Sequence, residues 1–214
     1  LMLQNQTEEE FADSRFQVLS ELTRLRQLCC DPALVYENYE GGSAKLDLCI
    51  ELIQSAVESG HKILLFSQFT SMIEILTARL QEESISCFVL QGSTKKEQRA
   101  QMVEQFNRDD TSVFCISLKA GGTGLNLTGA DIVIHYDPWW NVAVENQATD
   151  RAHRIGQKNV VTVYKLIAKG TIEEKIIKLQ QMKKELAEEI LSGDEIKTAS
   201  FQREELLELL EERF

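Results

Sequence analysis

Gln147, Arg151 and Arg154 stand at i, i+4 and i+7, so a helix through Val144–Gln157 would set one carboxamide and two guanidiniums along a single stripe. Arginine suits phosphate because its rigid fork presents paired, permanently charged donors. Two such forks a turn apart, stopped by Ile155-Gly156, can converge on one anion, while Val144, Ala148, Ala152 and Ile155 pack downward. Spacing alone fits a solvated amphipathic helix with an Asp150–Arg154 ion pair at least as well. The surroundings must decide.

Three further segments carry unusual chemistry, and each follows a short strand candidate. Ser67-Gln68-Phe69-Thr70 can hold a phosphate at a helix N-terminus or merely cap that helix. Ser117–Leu127 contains Lys119, Gly121, Gly122 and Gly124, which would let backbone amides approach an anion or a sugar closely, or simply make a tight turn. It is neither a dinucleotide fingerprint, lacking the third glycine, nor a P-loop, lacking a following Lys-Ser/Thr. Asp137-Pro138-Trp139-Trp140-Asn141 holds the only two tryptophans, which serve either as core anchors or as a wedge against nucleic acid.

The elements that must position these residues are legible in outline. Ile63–Phe66, Ile85–Leu90, Val113–Ile116, Asp131–Tyr136 and Val160–Ile167 read as strands. Helices are expected over residues 7–29 and 44–58, with capping boxes at Ser71-x-x-Glu74, Thr94-x-x-Glu97 and Thr171-x-x-Glu174 opening three more. Runs apolar on both faces and separated by helices predict a parallel sheet covered on both sides, with function gathered at the strands' carboxyl ends. The helix from Thr171 runs to about Leu191, and an acidic amphipathic piece follows over Phe201–Leu210.

Composition bounds the class. The 214 residues are 43% hydrophobic and 27% charged, enough for one globular domain with extensions. Opening on Leu1-Met2 with no secretory signal, they read as a piece of a longer chain, and no stretch suits a membrane. Five cysteines without a CxxC pair suggest reduced thiols inside a cell rather than disulfides or zinc. The net charge of -11 argues against a nucleic-acid partner until it is mapped. Residues 45–184 carry 16 acidic and 17 basic side chains, so the acidity belongs to the ends.

Taken in order, Ile63–Phe69, Leu90-Gln91-Gly92-Ser93-Thr94 with Arg99 and Phe106-Asn107, Ser117–Leu127, Asp137–Asn141 and Gln147–Gln157 resemble helicase motifs IV, IVa, V, Va and VI. The version is that of the Swi/Snf-type DNA translocases of helicase superfamily two. The string Gln-Ala-x-Asp-Arg-Ala-His-Arg-Ile-Gly-Gln is the most specific part. Val142, Thr123 and Asp31 stand where the family usually has proline, leucine and histidine, and none of these departures touches Arg151 or Arg154.

The resemblance implies a three-layer RecA-like α/β fold with helical extensions: an N-terminal segment over 1–43, the lobe over 44–170, and a brace helix and acidic tail over 171–214. It implies the second motor lobe of an ATP-dependent double-stranded DNA translocase. The oligomeric state is open, with a monomer as the default expectation, and the expected place is inside the cell, in a bacterial nucleoid or a nucleus. ATP with magnesium would be held mainly by a missing N-terminal lobe, since this sequence has no GxxxxGK[ST], and Asp109-Asp110 follows a helix rather than a strand. By the same resemblance Arg151 and Arg154 would be arginine fingers, and Gly122, Gly124 and Gln147 would touch the nucleotide. Ser67, Gln68, Lys119, Gly121 and Trp140 would face the DNA backbone, and no residue would bind a metal. A non-catalytic DNA- or protein-binding module is the competing reading; a Rossmann-type oxidoreductase is disfavoured by the missing glycine.

Overall fold

The computed structural model describes residues 8–118, 120, 124–153, 157 and 159–190. The chain divides into two compact units, Cys30–Ile167 and a second made of Leu1–Cys29 with Ala168–Phe214.

In the first unit β1 (Ile63–Ser67), β2 (Cys87–Leu90), β3 (Val113–Ser117), β4 (Ile132–His135) and β5 (Thr162–Lys165) form one parallel sheet in the order β2-β3-β1-β4-β5. Alternation along the strands sorts the core into two layers. Ile63, Leu65, Val113, Cys115, Ile132 and Ile134 pack with α2 (Ala44–Glu58) and α3 (Thr70–Glu82). Leu64, Phe66, Phe114, Ile116 and Val133 pack with α4 (Lys96–Arg108), α5 (Val142–Thr149) and the 118–130 segment. Phe106 of α4 meets Phe114 edge-on at 5.2 Å, and burying such a ring contributes about 1.5–3 kcal/mol.

Every residue of β1, β3 and β4 is buried, as strands covered on both faces should be. The expectation fails for β5, whose Thr-Val-Tyr-Lys is exposed at all four positions of an edge strand.

Local signals were met unevenly. Ser43 caps α2 by accepting from the Leu46 N–H at 3.4 Å. The boxes expected at Ser71 and Thr94 do not form, because each helix begins elsewhere: α3 has Phe69 at its N-cap and α4 has Lys95, neither with a side-chain cap. Ser67 and Thr94 capture nearby amides instead, Oγ accepting from Phe69 N–H at 3.2 Å and Oγ1 from Gln91 N–H at 3.1 Å. Each hydroxyl thereby closes a turn just before its helix, work that side-chain-to-backbone bonds do well.

The second unit contains α1 (Glu8–Cys30), with Leu22 and Arg26 buried, and α6 (Ile172–Ile190). At the start of α6, Thr171 Oγ1 accepts from the Glu173 N–H at 3.2 Å, and the Glu174 carboxylate accepts from the Gly170 N–H at 2.9 Å. The reciprocal caps are present, with the glutamate reaching one residue beyond the N-cap.

Candidate functional site

The carboxyl ends of β1, β3 and β4 are tied into one rim. Ser67 Oγ donates to Asp137 Oδ1 at 2.6 Å, and the Gln68 N–H faces the same carboxylate at 3.3 and 3.4 Å. Leu118 N–H donates to the Ser67 carbonyl at 2.9 Å, and Tyr136 N–H to the Phe66 carbonyl at 2.9 Å. The segments after three strands therefore converge: the buried Asp137 carboxylate joins those after β1 and β4, and the Ser67 carbonyl brings in the one after β3. Asp137 belongs to the Asp137–Asn141 motif, and nothing in the sequence pattern alone marks it as the connecting group.

Individual side chains on this rim differ from expectation. Ser67 is fully buried, with its hydroxyl committed to Asp137, so it does not stand on a DNA-facing surface. Gln68 is half-buried, and its side-chain Nε2 is a buried donor with no acceptor among the described residues. Trp139 packs on the α4–α5 layer, and Trp140 is half-buried beside it in sequence. Lys119, Gly121 and Gly122 lie outside the described residues.

Gly124 is exposed with φ +41°, and a Cβ built on it would find no atom within 4 Å. That backbone is strained for any side chain and, among the described residues, leaves room for close approach by a ligand. Both flanks of its segment are held from α4. Upstream, Arg99 donates from Nε to the Thr94 carbonyl at 2.8 Å, from Nη2 to those of Gln91 and Gly92 at 3.2 and 3.1 Å, and from Nη1 to that of Ala120 at 3.3 Å. Downstream, Asn107 Nδ2 donates to the Asn126 carbonyl and Oδ1 accepts from the Gly129 N–H, both at 2.8 Å. Gly129 is glycine for lack of room: a Cβ there would lie 3.0 Å from Asn107 Oδ1 and 3.1 Å from its Cα. Neither Arg99 nor Asn107 was a predicted site residue. Their only signal was membership of the α4 motif.

The arginine segment departs from the single stripe. α5 ends at Thr149 instead of running to Gln157, and Asp150–His153 form a turn. One cause is tertiary: the Arg151 carbonyl, which a continuing helix would use, accepts from the Leu127 N–H at 3.1 Å. Gln147 consequently faces outward from α5, whereas Arg151 turns inward and is 1% exposed. A guanidinium meant to reach a phosphate on another body must stand at the surface of its own, so this placement departs from the finger role expected of Arg151. Arg154 and the Asp150–Arg154 pair lie outside the described residues. Gln157 closes the segment, its Nε2 donating to the Ala130 carbonyl at 2.6 Å and to those of Thr128 and Ala152 at 3.3 Å each. The glycine and arginine segments are thus joined at two places.

Electrostatics beneath α5 are also specific. His135 is buried against Phe66, with ring centroids 5.5 Å apart and nearly parallel. Burial, reinforced by Lys165, pushes its pKa down to about 4. Lys62 anchors the other end of this layer, its ammonium donating to the Phe106 and Asp109 carbonyls at the C-terminus of α4.

Known proteins are similar to this chain. The helicase conserved C-terminal domain model matches residues 44–156. An uncharacterized ATP-dependent helicase of Mycoplasma pneumoniae is 45% identical over 202 residues, covering 92% of this chain and 19% of that protein. The chromatin-remodeling ATPase INO80 of Homo sapiens is 43% identical over 169 residues, covering 78% of this chain and 11% of that protein. Among solved structures, the Sulfolobus solfataricus SWI2/SNF2 ATPase C-terminal domain has a TM-score of 0.70 at 33% identity, covering 91% of this chain and 81% of that one. The Sulfolobus solfataricus SWI2/SNF2 ATPase core in complex with dsDNA has a TM-score of 0.73 at 34% identity, covering 94% of this chain and 43% of that one. The chain spans at most about a fifth of the length of the two sequence relatives.

Proposed function

The chain belongs to the helicase conserved C-terminal domain family, in its Swi/Snf branch, and on that premise we propose that it is the second motor lobe of an ATP-dependent double-stranded DNA translocase. One observation carries this reading: strand-end segments from β1, β3 and β4 form a single bonded rim, and the glycine segment beside it is bonded to the arginine segment. A change felt at one ligand can therefore be passed to the other through a few backbone bonds.

In this reading Gln68, Lys119, Gly121 and Trp140 meet the sugar-phosphate backbone. Such contacts position a motor without selecting sequence. The likeness to an ATPase core in complex with dsDNA supports this. Ser67 acts from inside by holding Asp137.

Magnesium-ATP lies in a cleft whose other wall is a first lobe outside this sequence. The open, left-handed Gly124 fits close approach to a ribose or phosphate, and Gly122 and the exposed Gln147 share that role in this reading. In this reading the metal is held by the other lobe. The nucleotide supplies the phosphoryl bond whose hydrolysis drives movement. Arg154 neutralises charge as the terminal phosphate departs, a role worth about 10³–10⁵ in turnover. Arg151 positions that segment from the interior. Closure of the lobes around the nucleotide and reopening after hydrolysis shift one lobe along the duplex. The motor works as a monomer on nucleoid or nuclear DNA inside the cell.

The test is to assay ATP hydrolysis with and without duplex DNA, for this chain alone and for the protein carrying both lobes. DNA-stimulated turnover by the two-lobe protein, absent from the single lobe, is expected. Duplex binding without turnover by the two-lobe protein would leave a non-catalytic binding module.

A further inference from the structure

The helix that leads into the arginine segment is seated on charged and polar groups where an apolar seam would have sufficed. His135 and Lys165 are register partners, the last residues of β4 and β5. Above them, Glu145 and Thr149 lie one turn apart on α5. His135 Nε2 is 3.0 Å from Thr149 Oγ1, Thr149 Oγ1 donates to the Glu145 carbonyl at 3.2 Å, and Lys165 Nζ lies 3.2 Å from Glu145 Oε1. His135 and Glu145 are each 1% exposed.

With the Thr149 proton committed to the Glu145 carbonyl, Thr149 Oγ1 is left as an acceptor, so His135 carries its proton on Nε2 and donates. Stacking on Phe66 holds the ring in that plane. The low pKa of His135 keeps it neutral near pH 7.

We propose that His135, Thr149, Glu145 and Lys165 form a polar latch that fixes where α5 delivers the arginine segment, which makes them positioning residues for turnover. The proposal rests on the motor reading above. Among the described residues the apolar contacts that α5 makes with this layer come from Val144 and Ala148, both small and without directional demands. The latch has such demands, because a displaced α5 would leave a buried carboxylate without its ammonium and a buried imidazole without its acceptor. Two residues past Thr149 the Arg151 carbonyl is bonded to Leu127, so any displacement of α5 reaches the glycine segment as well.

The experiment uses the full-length protein. Thr149→Val keeps the shape and removes the hydroxyl, whereas Thr149→Ser keeps the hydroxyl. Thr149→Val should cut kcat for DNA-stimulated ATP hydrolysis by about ten- to a hundredfold, the scale of a small misplacement. KM for ATP and duplex affinity should stay within about twofold, and Thr149→Ser should restore kcat. A Thr149→Val protein with wild-type kcat and only a lowered Tm overturns the latch. Should it fail to fold, Lys165→Met at a side chain 40% exposed carries the same expectation and the same refutation. Hydrolysis by the wild type with unchanged kcat in the variants refutes the latch alone. A wild type that does not hydrolyse ATP refutes the motor reading and the latch with it.

Discussion

At the scale of single residues, the side chains that do the assembling differ from those that would meet a ligand. Asp137 gathers Ser67 and Gln68 by accepting their hydrogen bonds, and Arg99 joins the 91–94 turn to Ala120 through one guanidinium. Both act through bonds to residues distant in sequence, so their work shows only when distances are known. His135 carries a stability prediction at this scale. The unfolded chain binds its proton near pH 6.5 and the fold only near pH 4. The contribution is therefore fully present above pH 6.5 and is lost as pH falls through that window, by up to about 3 kcal/mol. Urea midpoints for wild type should fall between pH 7 and 4.5 more steeply than those of His135→Gln, which keeps a donor toward Thr149. Parallel pH profiles would show that His135 does not titrate on unfolding.

At the scale of elements, α4 is the jig for the glycine segment. Asn107→Ala strands the Gly129 N–H and the Asn126 carbonyl and should destabilise the lobe by about 1–3 kcal/mol, read as a lowered denaturant midpoint with an unchanged slope. An unchanged midpoint would mean that the two bonds hold nothing. Elements governed by local signals were readable. α2 is found at its expected bounds because Ser43 caps its start and Ser59-Gly60, with Gly60 at φ +79°, closes its end. α5 was misjudged because its end is set partly by Leu127, a residue 24 positions before Arg151 that no local pattern connects to it. The Ser71 and Thr94 boxes failed for a related reason. A hydroxyl three residues before a glutamate is only one competitor for the first amides of a helix, and upstream turns had already fixed the entry angle.

At the scale of the whole molecule, the sheet was legible in its strands and parallel sense, since buried two-faced runs leave few alternatives. The inward turn of Arg151 was not, because a period of i, i+4, i+7 predicts a stripe only while the helix lasts. The charge map is consistent with a motor lobe: a near-neutral centre leaves phosphate-facing groups free to act, with the acidity at the chain ends. In the proposed reading the catalytic contribution of the lobe narrows to Arg154, to be measured opposite the proposed partner lobe. The decisive measurement is DNA-stimulated ATP turnover by the two-lobe protein carrying Arg154→Ala, with duplex affinity measured alongside. Turnover lower by about 10³-fold or more, with duplex affinity retained, is the expected result; turnover equal to wild type would contradict it.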